Sequence, residues 1–331
     1  MKKVADYLRI REWIDSKVTM ILGIAAYFLC LDKSDIADWF QVLIVYFLFL
    51  SMFLALSYVF NDYTDLEIDK KAGKTKVIAS VPKWLIYVSF AAMILIGDVP
   101  ILLLVEKKIL CLCVIVFITI FGLAYSFPGI RFKERGALGL VECSFAQRCF
   151  PLVLILFFVD LHKTDLILWG MWFVLSFIDG LRYILIHQYI DRENDRNTGT
   201  HTFVLDKQVN IRKAIVCLCL FETVICAALL APLAMEYPVI VAIGVVICAL
   251  LECCIYQVLN VFAKKDWMVS FDSVPLESFL NIIMPVMVGI CMMKTHVWAG
   301  IFVVFILACC IRAIKAKKDI VAVYIDSRIS G

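Results

Sequence analysis

Apolar segments of about bilayer length follow one another along the chain. A membrane-spanning helix needs about 20 consecutive apolar residues, and the run 42–60 contains no charged residue. Of the 331 residues, 63% are hydrophobic and 18% are charged, whereas about a quarter of a typical soluble domain is charged. This pattern predicts an all-α fold, a polytopic membrane helical bundle that forms a single domain over residues 1–331. The ten segments are 18–31, 38–60, 84–105, 109–127, 138–159, 165–190, 211–233, 237–262, 277–293 and 296–314.

The connections between these segments alternate between very short loops and longer polar ones. Of the 32 Lys and Arg residues, 25 lie in the two termini and in the longer loops with their helix ends, and only 5 lie in the short loops. The positive-inside rule places loops rich in Lys and Arg in the cytoplasm. We therefore expect an integral, multi-pass membrane protein with both termini and all long loops on the cytoplasmic side.

Asn61, Asp65 and Asp69 follow the second apolar segment at spacings of four residues. Each step of four residues turns a helix by about 400°, so the three side chains share one face. Carboxylates on one helical face repel each other unless a cation lies between them, and scarce water near a membrane increases that cost. The spacing therefore predicts a cation-binding face at this end of the helix.

A second acidic cluster closes the sixth segment, where Asp191 and Asp195 are again four residues apart. Two such carboxylate faces at the ends of two helices would form a site for divalent cations. Oxygen ligands that act together with substrate phosphates favour Mg²⁺. The alternative is that both clusters are helix-end acids that face solvent, but their matched spacing on one predicted side of the membrane favours the metal.

Basic residues lie in the same set of long polar loops as the acidic clusters. Lys74 follows the first cluster, and Arg131 and Lys133 lie in the loop after the fourth segment. Acids that hold a metal and bases that bind oxygen atoms together form a diphosphate site. The positive-inside bias alone explains most lysines in these loops, so we select only Lys74, Arg131 and Lys133 as candidate diphosphate contacts.

Ionisable residues inside apolar segments are further functional candidates. Asp179 and Arg182 lie three residues apart in the sixth segment. An ion pair within the helix is one interpretation of Arg182, and contact with phosphate is the other. His187 lies one turn before Asp191, where it either orients that carboxylate or fills a packing position.

Three of these motifs, in this order and on these segments, resemble those of the UbiA superfamily of intramembrane prenyltransferases. The resemblance covers roughly residues 9–262. The matching residues are Asn61, Asp62, Asp65 and Asp69 after the second segment, Tyr125, Ser126, Pro128, Arg131 and Lys133 after the fourth, and Asp191, Asp195, Gly199 and Thr202 after the sixth.

The resemblance implies a helical bundle around a central cavity that opens to the cytoplasm. Members of that family usually have nine spans, and the sequence shows ten apolar segments. We therefore expect nine to ten transmembrane helices. The resemblance also implies two Mg²⁺ ions, one held by Asn61, Asp65 and Asp69 and the other by Asp191 and Asp195. Tyr125 and Lys133 would belong to the loop that closes over the diphosphate of an isoprenoid donor.

We therefore expect Mg²⁺-dependent transfer of a prenyl group from an isoprenoid diphosphate to a lipophilic, aromatic or amphipathic acceptor. The predicted catalytic residues are Asp65, Asp191 and Lys133. The predicted substrate contacts are Lys133 together with Asn61, Lys74, Tyr125, Arg131 and Arg182. Membrane lipid is an expected partner and nucleic acid is not. Two alternatives stay open: a terpene cyclase of the UbiA type, in which the cation attacks its own chain, and a cation-coupled membrane transporter.

Overall fold

The computed structural model of the chain describes residues 2–32, 36–71, 73, 75–159, 163–199, 201–207, 210–258 and 276–329. These residues form helices and no strands, as the sequence predicts for an all-α protein. The α-helices are α1 (Lys2–Tyr7), α2 (Thr19–Asp32), α3 (Ile36–Thr64), α4 (Leu66–Lys71), α5 (Lys83–Leu104), α6 (Lys108–Ala124), α7 (Ala137–Ser144), α8 (Phe150–Val153), α9 (Lys163–Thr198), α10 (Phe203–Lys207), α11 (Ile211–Glu236), α12 (Pro238–Tyr256), α13 (Met284–Met293), α14 (Gly300–Cys309) and α15 (Ile311–Ile329).

Among the described residues, three five-residue stretches of π-helix interrupt the apolar segments, and Gln257 and Val258 are also π-helical. In a π-helix the hydrogen bonds run from residue i to i+5, and such turns are frequent at functional sites. One precedes α2, one joins α7 to α8, and one leads into α13. Their ranges are Ile14–Val18, Phe145–Cys149 and Phe279–Ile283.

Seven helical stretches of the described residues are long and apolar enough to cross a membrane. An eighth is formed by α14 and α15 if this pair, which is bent by 67°, counts as one span. Two further apolar helices, Lys108–Ala124 and Phe279–Met293, are shorter than a full crossing. The chain is thus an integral multi-pass membrane protein, but the predicted nine to ten spans are not confirmed by length and composition. The cytoplasmic location of the termini and the single-domain organisation stay predictions.

Helix α2 lies at the centre of the bundle. Its residues are apolar on all sides and are almost all buried, as expected of a helix that neighbours surround completely. It packs mainly against α13 and α3. The outer helices expose large apolar side chains, among them Leu103, Ile109 and Val239, and such a surface is suited to lipid rather than to water.

Two helix pairs position the polar ends of the bundle. Helix α3 packs along α5, and α9 packs against both α7 and α11. The first acidic cluster lies at the end of α3 and in α4, and the second lies near the end of α9. The segment between α6 and α7 contains the basic residues Arg131 and Lys133 that the sequence analysis selected. It meets the end of α3 through contacts of Lys133 with Asn61 and Asp65.

Candidate active site

The ammonium group of Lys133 lies between the oxygen atoms of the first acidic cluster. Its Nζ is 2.6 and 2.5 Å from the two carboxylate oxygens of Asp65 and 3.1 Å from the side-chain oxygen of Asn61. The hydroxyl of Ser126 also donates to that Asn61 oxygen, at 2.5 Å. Burial lowers the pKa of Lys133, and the attraction of Asp65 opposes that shift. The cation beside these three oxygens is thus the Lys133 ammonium, and the predicted metal site stays a prediction.

Arg131 makes a second basic contact with Asp65. Its Nη2 lies 3.3 Å from Asp65 Oδ1, and the same guanidinium donates to Glu134 at 2.5 and 2.8 Å. The hydrogen bonds to Glu134 raise the pKa of Arg131, so this side chain stays charged at any physiological pH. Arg131 is thus held at the first cluster by two acids.

Asp69 is paired with a lysine that the sequence analysis did not select. Lys76 Nζ lies 2.7 Å from Asp69 Oδ2 and 2.7 Å from Asp62 Oδ1, and Arg9 also bonds Asp62, at 3.0 Å. Burial works against the charge of Lys76, but the hydrogen bonds to both acids raise its pKa overall. Lys74, which was selected, lies outside the described residues.

The basic loop reaches α3 because a glycine lets it lie directly on α7. The backbone N–H of Lys133 donates to the carbonyl of Tyr125 at 3.2 Å and closes the loop. A Cβ on Gly139 would lie 2.5 Å from the Phe132 carbonyl oxygen and 3.1 Å from Lys133 Cα. Any larger residue at position 139 would therefore push the loop away from α7.

The second acidic cluster lies on the last turns of α9. His187 Nε2 is 3.5 Å from Asp191 Oδ2, one helical turn further on. The Asp191 side chain is 46% exposed, and Asp195 is half-buried on the following turn. The structure thus places His187 beside Asp191, and a role in orienting this carboxylate stays a prediction.

A cavity of about 430 Å³ extends into the bundle between these elements. Asn61 of the first cluster lines it, and so do Tyr125 and His187. Burial raises the pKa of the Tyr125 hydroxyl well above its usual value, so the group is a neutral hydrogen-bonding partner. The cavity therefore borders both the first cluster and the helix turn that precedes Asp191.

Several charged residues of the cavity wall were not predicted as part of the site, among them one lysine, one glutamate and one arginine that are buried. Lys17 comes from the π-turn before α2, Glu142 from α7, and Arg148 from the π-turn after α7. All three are at least 90% buried, and neither carboxylate oxygen of Glu142 has a hydrogen-bond partner among the described residues. The position of Glu142 and Arg148 inside an apolar segment was a sequence signal that could have identified these two residues, whereas Lys17 lies just before the first segment.

Arg182 lies away from the cavity, in a fully buried ionic cluster. Its Nη2 is 2.7 Å from Asp179 Oδ1, and its Nε is 2.9 Å from Glu222 Oε2. Asp179 also pairs with Arg148, at 3.2 Å. The ion pair with Asp179 that was one interpretation of Arg182 is therefore present, and its contacts give no support to the predicted phosphate contact.

Comparison with protein families places most of the chain in one family. The sequence model of the UbiA prenyltransferase family matches residues 19–283. The chain belongs to the UbiA prenyltransferase family. A search of curated protein sequences found no match.

Solved structures of UbiA homologues share the fold. The apo structure of a UbiA homologue from Aeropyrum pernix K1 is 15% identical, has a TM-score of 0.55, and covers 84% of this chain and 97% of its own. A homologue from Archaeoglobus fulgidus bound to DMAPP and Mg²⁺ is 12% identical, with a TM-score of 0.53 and coverage of 97% and 99%. A structure of a UbiA homologue from Archaeoglobus fulgidus bound to GPP and Mg²⁺ is 11% identical to this chain, with the same TM-score and coverage.

The oxygen atoms of the first UbiA motif fit a magnesium ion. The Asp65 carboxylate and the Asn61 amide oxygen converge on one position, which the Lys133 ammonium marks. The described residues contain no group of three or more His, Cys, Asp and Glu side chains close enough to hold a metal. Mg²⁺ commonly takes one or two carboxylates and completes its shell with water and substrate phosphate, so the donor set here is sufficient when a diphosphate is bound.

Proposed function

We propose that this protein transfers a prenyl group from an isoprenoid diphosphate to a lipophilic acceptor in a Mg²⁺-dependent reaction. The observation that carries the proposal is the cluster of Asn61, Asp65 and Lys133, which borders a buried cavity. Hard oxygen ligands and a fixed ammonium group are what a diphosphate with its metal requires. An apolar bundle around the cavity suits a prenyl tail.

The family relationship supports this proposal. UbiA members are prenyltransferases by the family's own description, and the Archaeoglobus fulgidus homologue was solved with DMAPP or GPP and with Mg²⁺. We propose two Mg²⁺ ions here, one at Asn61, Asp65 and Asp69 and the other at Asp191 and Asp195. We also propose that both motifs face the cytoplasm, because 25 of the 32 basic residues lie on that predicted side.

The chemistry follows from charge. When bound, Mg²⁺ would neutralise the negative charge that develops on the departing diphosphate. Lys133 and Arg131 add positive charge beside Asp65 and hold the phosphate oxygens in place, as fixed groups that need no rearrangement during the reaction. The Tyr125 hydroxyl is available as a neutral hydrogen-bond donor. The allylic cation must be kept from water so that the acceptor attacks it instead, and we propose that enclosure of the cavity within the apolar bundle limits the access of water.

The test is release of pyrophosphate from farnesyl diphosphate in membranes that contain the expressed chain. We expect release to require Mg²⁺ and to stop on addition of EDTA. Asp65→Ala and Asp191→Ala should each lower the rate by at least about a hundredfold, because each removes a ligand to transition-state charge. A cation-coupled transporter would release no pyrophosphate, and near-normal rates in either variant would refute the metal assignment.

Two neighbouring acids provide matched controls. Glu67 and Glu193 are exposed and lie off the faces of the two motifs. Glu67→Ala and Glu193→Ala change the local charge by the same amount, and we expect both to retain activity. Analysis of the extracted product by mass spectrometry separates a transferase, whose product contains the acceptor, from a cyclase, whose product is the isoprenoid alone.

A further inference from the structure

Glu142 is a buried acid that has no partner among the described residues. Five Asp and Glu side chains are buried in the part of the chain that the structure describes, and four of them have a basic residue within 4.0 Å: Asp15, Asp62, Asp179 and Glu222. Glu142 is 2% exposed, and neither of its carboxylate oxygens has a hydrogen-bond partner in that part of the chain. Because Glu142 lines the cavity, a bound molecule can supply the missing partner.

The free energy of this carboxylate depends on what meets it in the cavity. An ionised group that is taken out of water without a partner is costly, and the cost falls when the group accepts a hydrogen bond or takes up a proton. Lys17 on the same wall does not contact Glu142 but donates to the Tyr58 hydroxyl and to the side-chain oxygen of Gln147. The carboxylate is therefore available to a group of the ligand that donates a proton.

The position of Glu142 on α7 places it just beyond the basic loop. Gly139 lies against the backbone of Lys133, and Glu142 is three residues further along the helix, which corresponds to about 4.5 Å. Burial and then the charges of Cys143 and Glu142 raise the pKa of Tyr125, so the carboxylate lies near this cavity residue. A diphosphate bound at Lys133 would thus have its first carbon atoms close to Glu142.

The charge of Glu142 separates it from the diphosphate site. Asp65 and Asp69 of the first cluster each have a lysine partner, Lys133 and Lys76. Glu142 has no such partner in the described part of the chain, and a carboxylate in contact with a diphosphate would be repelled strongly in a medium of low polarity. The part of the reacting molecules that meets Glu142 is therefore one that carries a proton or a positive charge.

Prenyl transfer has to dispose of one proton. When the bond from the allylic carbon to the diphosphate oxygen breaks, its electron pair leaves with the diphosphate. An electron pair of the acceptor then forms the new bond to the allylic carbon, and the acceptor oxygen or ring carbon that has formed it loses its hydrogen as a proton. In the proposed reaction Asp65, Lys133 and Arg131 serve the metal and the phosphate oxygens, so another group has to take this proton.

We propose that Glu142 takes this proton as the general base of the reaction. The inference rests on the proposed prenyl transfer and adds a catalytic residue to it. The carboxylate faces the acceptor, takes its proton as the new bond forms and passes the proton to solvent after the product leaves. The same step would end a cyclisation, in which the proton comes from the isoprenoid cation itself. A positioned general base accelerates a reaction by about a hundredfold to ten-thousandfold.

Glu142→Gln tests the step, because the amide keeps the shape of the side chain but takes no proton. In membranes that contain the expressed chain, we expect product formation from farnesyl diphosphate to fall at least about a hundredfold, measured by mass spectrometry. The affinity for farnesyl thiolodiphosphate with Mg²⁺, measured on the purified full chain by the shift in unfolding temperature, should change less than about twofold. Glu106→Gln is the control, since Glu106 is exposed in a short loop.

Chemical rescue distinguishes a base from a residue that only packs. Glu142→Ala removes the carboxylate and leaves space beside the cavity. Added formate should raise the rate of this variant about tenfold or more, because it supplies a carboxylate that takes the proton. Formamide has a similar size but is not a base, and it should leave the rate unchanged. Equal effects of formate and formamide would overturn the assignment.

The unfolding temperature gives a readout without any donor. Glu142→Gln removes no ion pair, so it should unfold at the same temperature as the wild type or at a higher one. Glu222→Gln should unfold at a lower temperature, because it weakens the pair with Arg182. A fall in Glu142→Gln as large as that in Glu222→Gln would show that Glu142 has a structural partner, and it would overturn the inference.

The activity measurements separate this inference from the proposed function. If the wild type releases pyrophosphate and Glu142→Gln forms product at a near-normal rate, the departing diphosphate takes the proton and the inference alone is overturned. If the wild type releases no pyrophosphate from geranyl, farnesyl or geranylgeranyl diphosphate, the proposed prenyl transfer is overturned and the role of Glu142 with it.

Discussion

Lys133 is the residue on which the first cluster depends. Its ammonium is within 3.1 Å of three oxygen atoms from Asn61 and Asp65, so in the free protein it balances the negative charge of Asp65. On binding of donor and Mg²⁺, we propose that the same group turns to the phosphate oxygens. Lys133 would thereby stabilise the cluster of Asn61 and Asp65 both in the free protein and in the complex with donor and Mg²⁺.

Lys133→Ala should therefore weaken binding of the donor more than binding of the acceptor. Loss of a charge-assisted contact corresponds to about a tenfold to hundredfold rise in the Michaelis constant for farnesyl diphosphate. The Michaelis constant for the acceptor should change little. Lys107→Ala, in an exposed loop, is the control. Equal effects on both substrates would remove Lys133 from the diphosphate site.

We expect the buried ionic cluster around Arg182 to affect the free energy of unfolding. Arg182 and Glu222 are both 0% exposed and lie 2.9 Å apart. Removal of one member of a buried ion pair leaves an uncompensated charge and costs about 3–5 kcal/mol, whereas replacement of both by apolar residues of similar volume costs much less.

We expect Glu222→Leu to lower the free energy of unfolding by about 3 kcal/mol. The double variant Arg182→Met with Glu222→Leu should recover part of that loss, although Asp179 keeps only Arg148 as a partner. Thermal unfolding in detergent of the wild type, Arg182→Met, Glu222→Leu and the double variant measures the interaction free energy between the two residues. If the two substitutions are simply additive, the pair contributes no specific interaction.

At the scale of elements, the contact between α7 and the basic loop decides where Lys133 lies. Helix α7 carries Gly139 against the backbone of Phe132 and Lys133, and the preceding loop is closed by the hydrogen bond from Lys133 to Tyr125. The close approach of a helix to a loop backbone requires a residue without a side chain. Helix propensity alone would favour alanine at this position by about 1 kcal/mol.

Gly139→Ala should weaken donor binding without preventing insertion. The added Cβ would lie 2.5 Å from a carbonyl oxygen, so the loop must move, and we expect about a tenfold rise in the Michaelis constant for farnesyl diphosphate because Lys133 moves with it. Gly170→Ala on α9 is the control, since nothing lies within 4 Å of its added Cβ. Unchanged kinetics in Gly139→Ala would show that the loop has room to adjust.

At the scale of the molecule, the two ends of the chain meet beside the cavity. Arg312 of α15 forms two hydrogen bonds to the Asp15 carboxylate, at 3.0 and 3.1 Å, and one to the backbone oxygen of Arg11. Both Arg312 and Lys317 line the cavity. Asp15 and Arg312 lie outside residues 19–283, which the family model matches.

Arg312→Ala should loosen that closure. The Arg312 side chain is 56% exposed, so the pair is worth at most about 1 kcal/mol, and the unfolding temperature should hardly change. A change of about 1 kcal/mol still shifts the equilibrium between the paired and unpaired states of Asp15 and Arg312 roughly fivefold. Water that enters the cavity in the unpaired state would capture the allylic cation. We expect a several-fold higher share of farnesol in the products. Lys315→Ala, on the exposed face of α15, should leave that share unchanged.

The sequence alone determined what depends on local spacing. Long apolar runs predict membrane helices, and acids four residues apart predict one helical face, because both follow from the geometry of a single helix. For the same reason, the three motifs with Asn61, Asp65, Lys133 and Asp191 were sufficient to predict the UbiA family, which the family comparison confirmed.

Only the tertiary structure decided which distant groups meet. Lys17 contacts Gln147 across 130 positions of the chain, and Arg312 contacts Asp15 across 297. Nothing in the spacing of either pair predicts the contact, because packing between helices that are far apart in sequence brings them together. The same packing buried Arg182 beside Glu222 and left Lys17 without an acid, since the free energy of a buried charge depends on its neighbours in space and not on its neighbours in the chain.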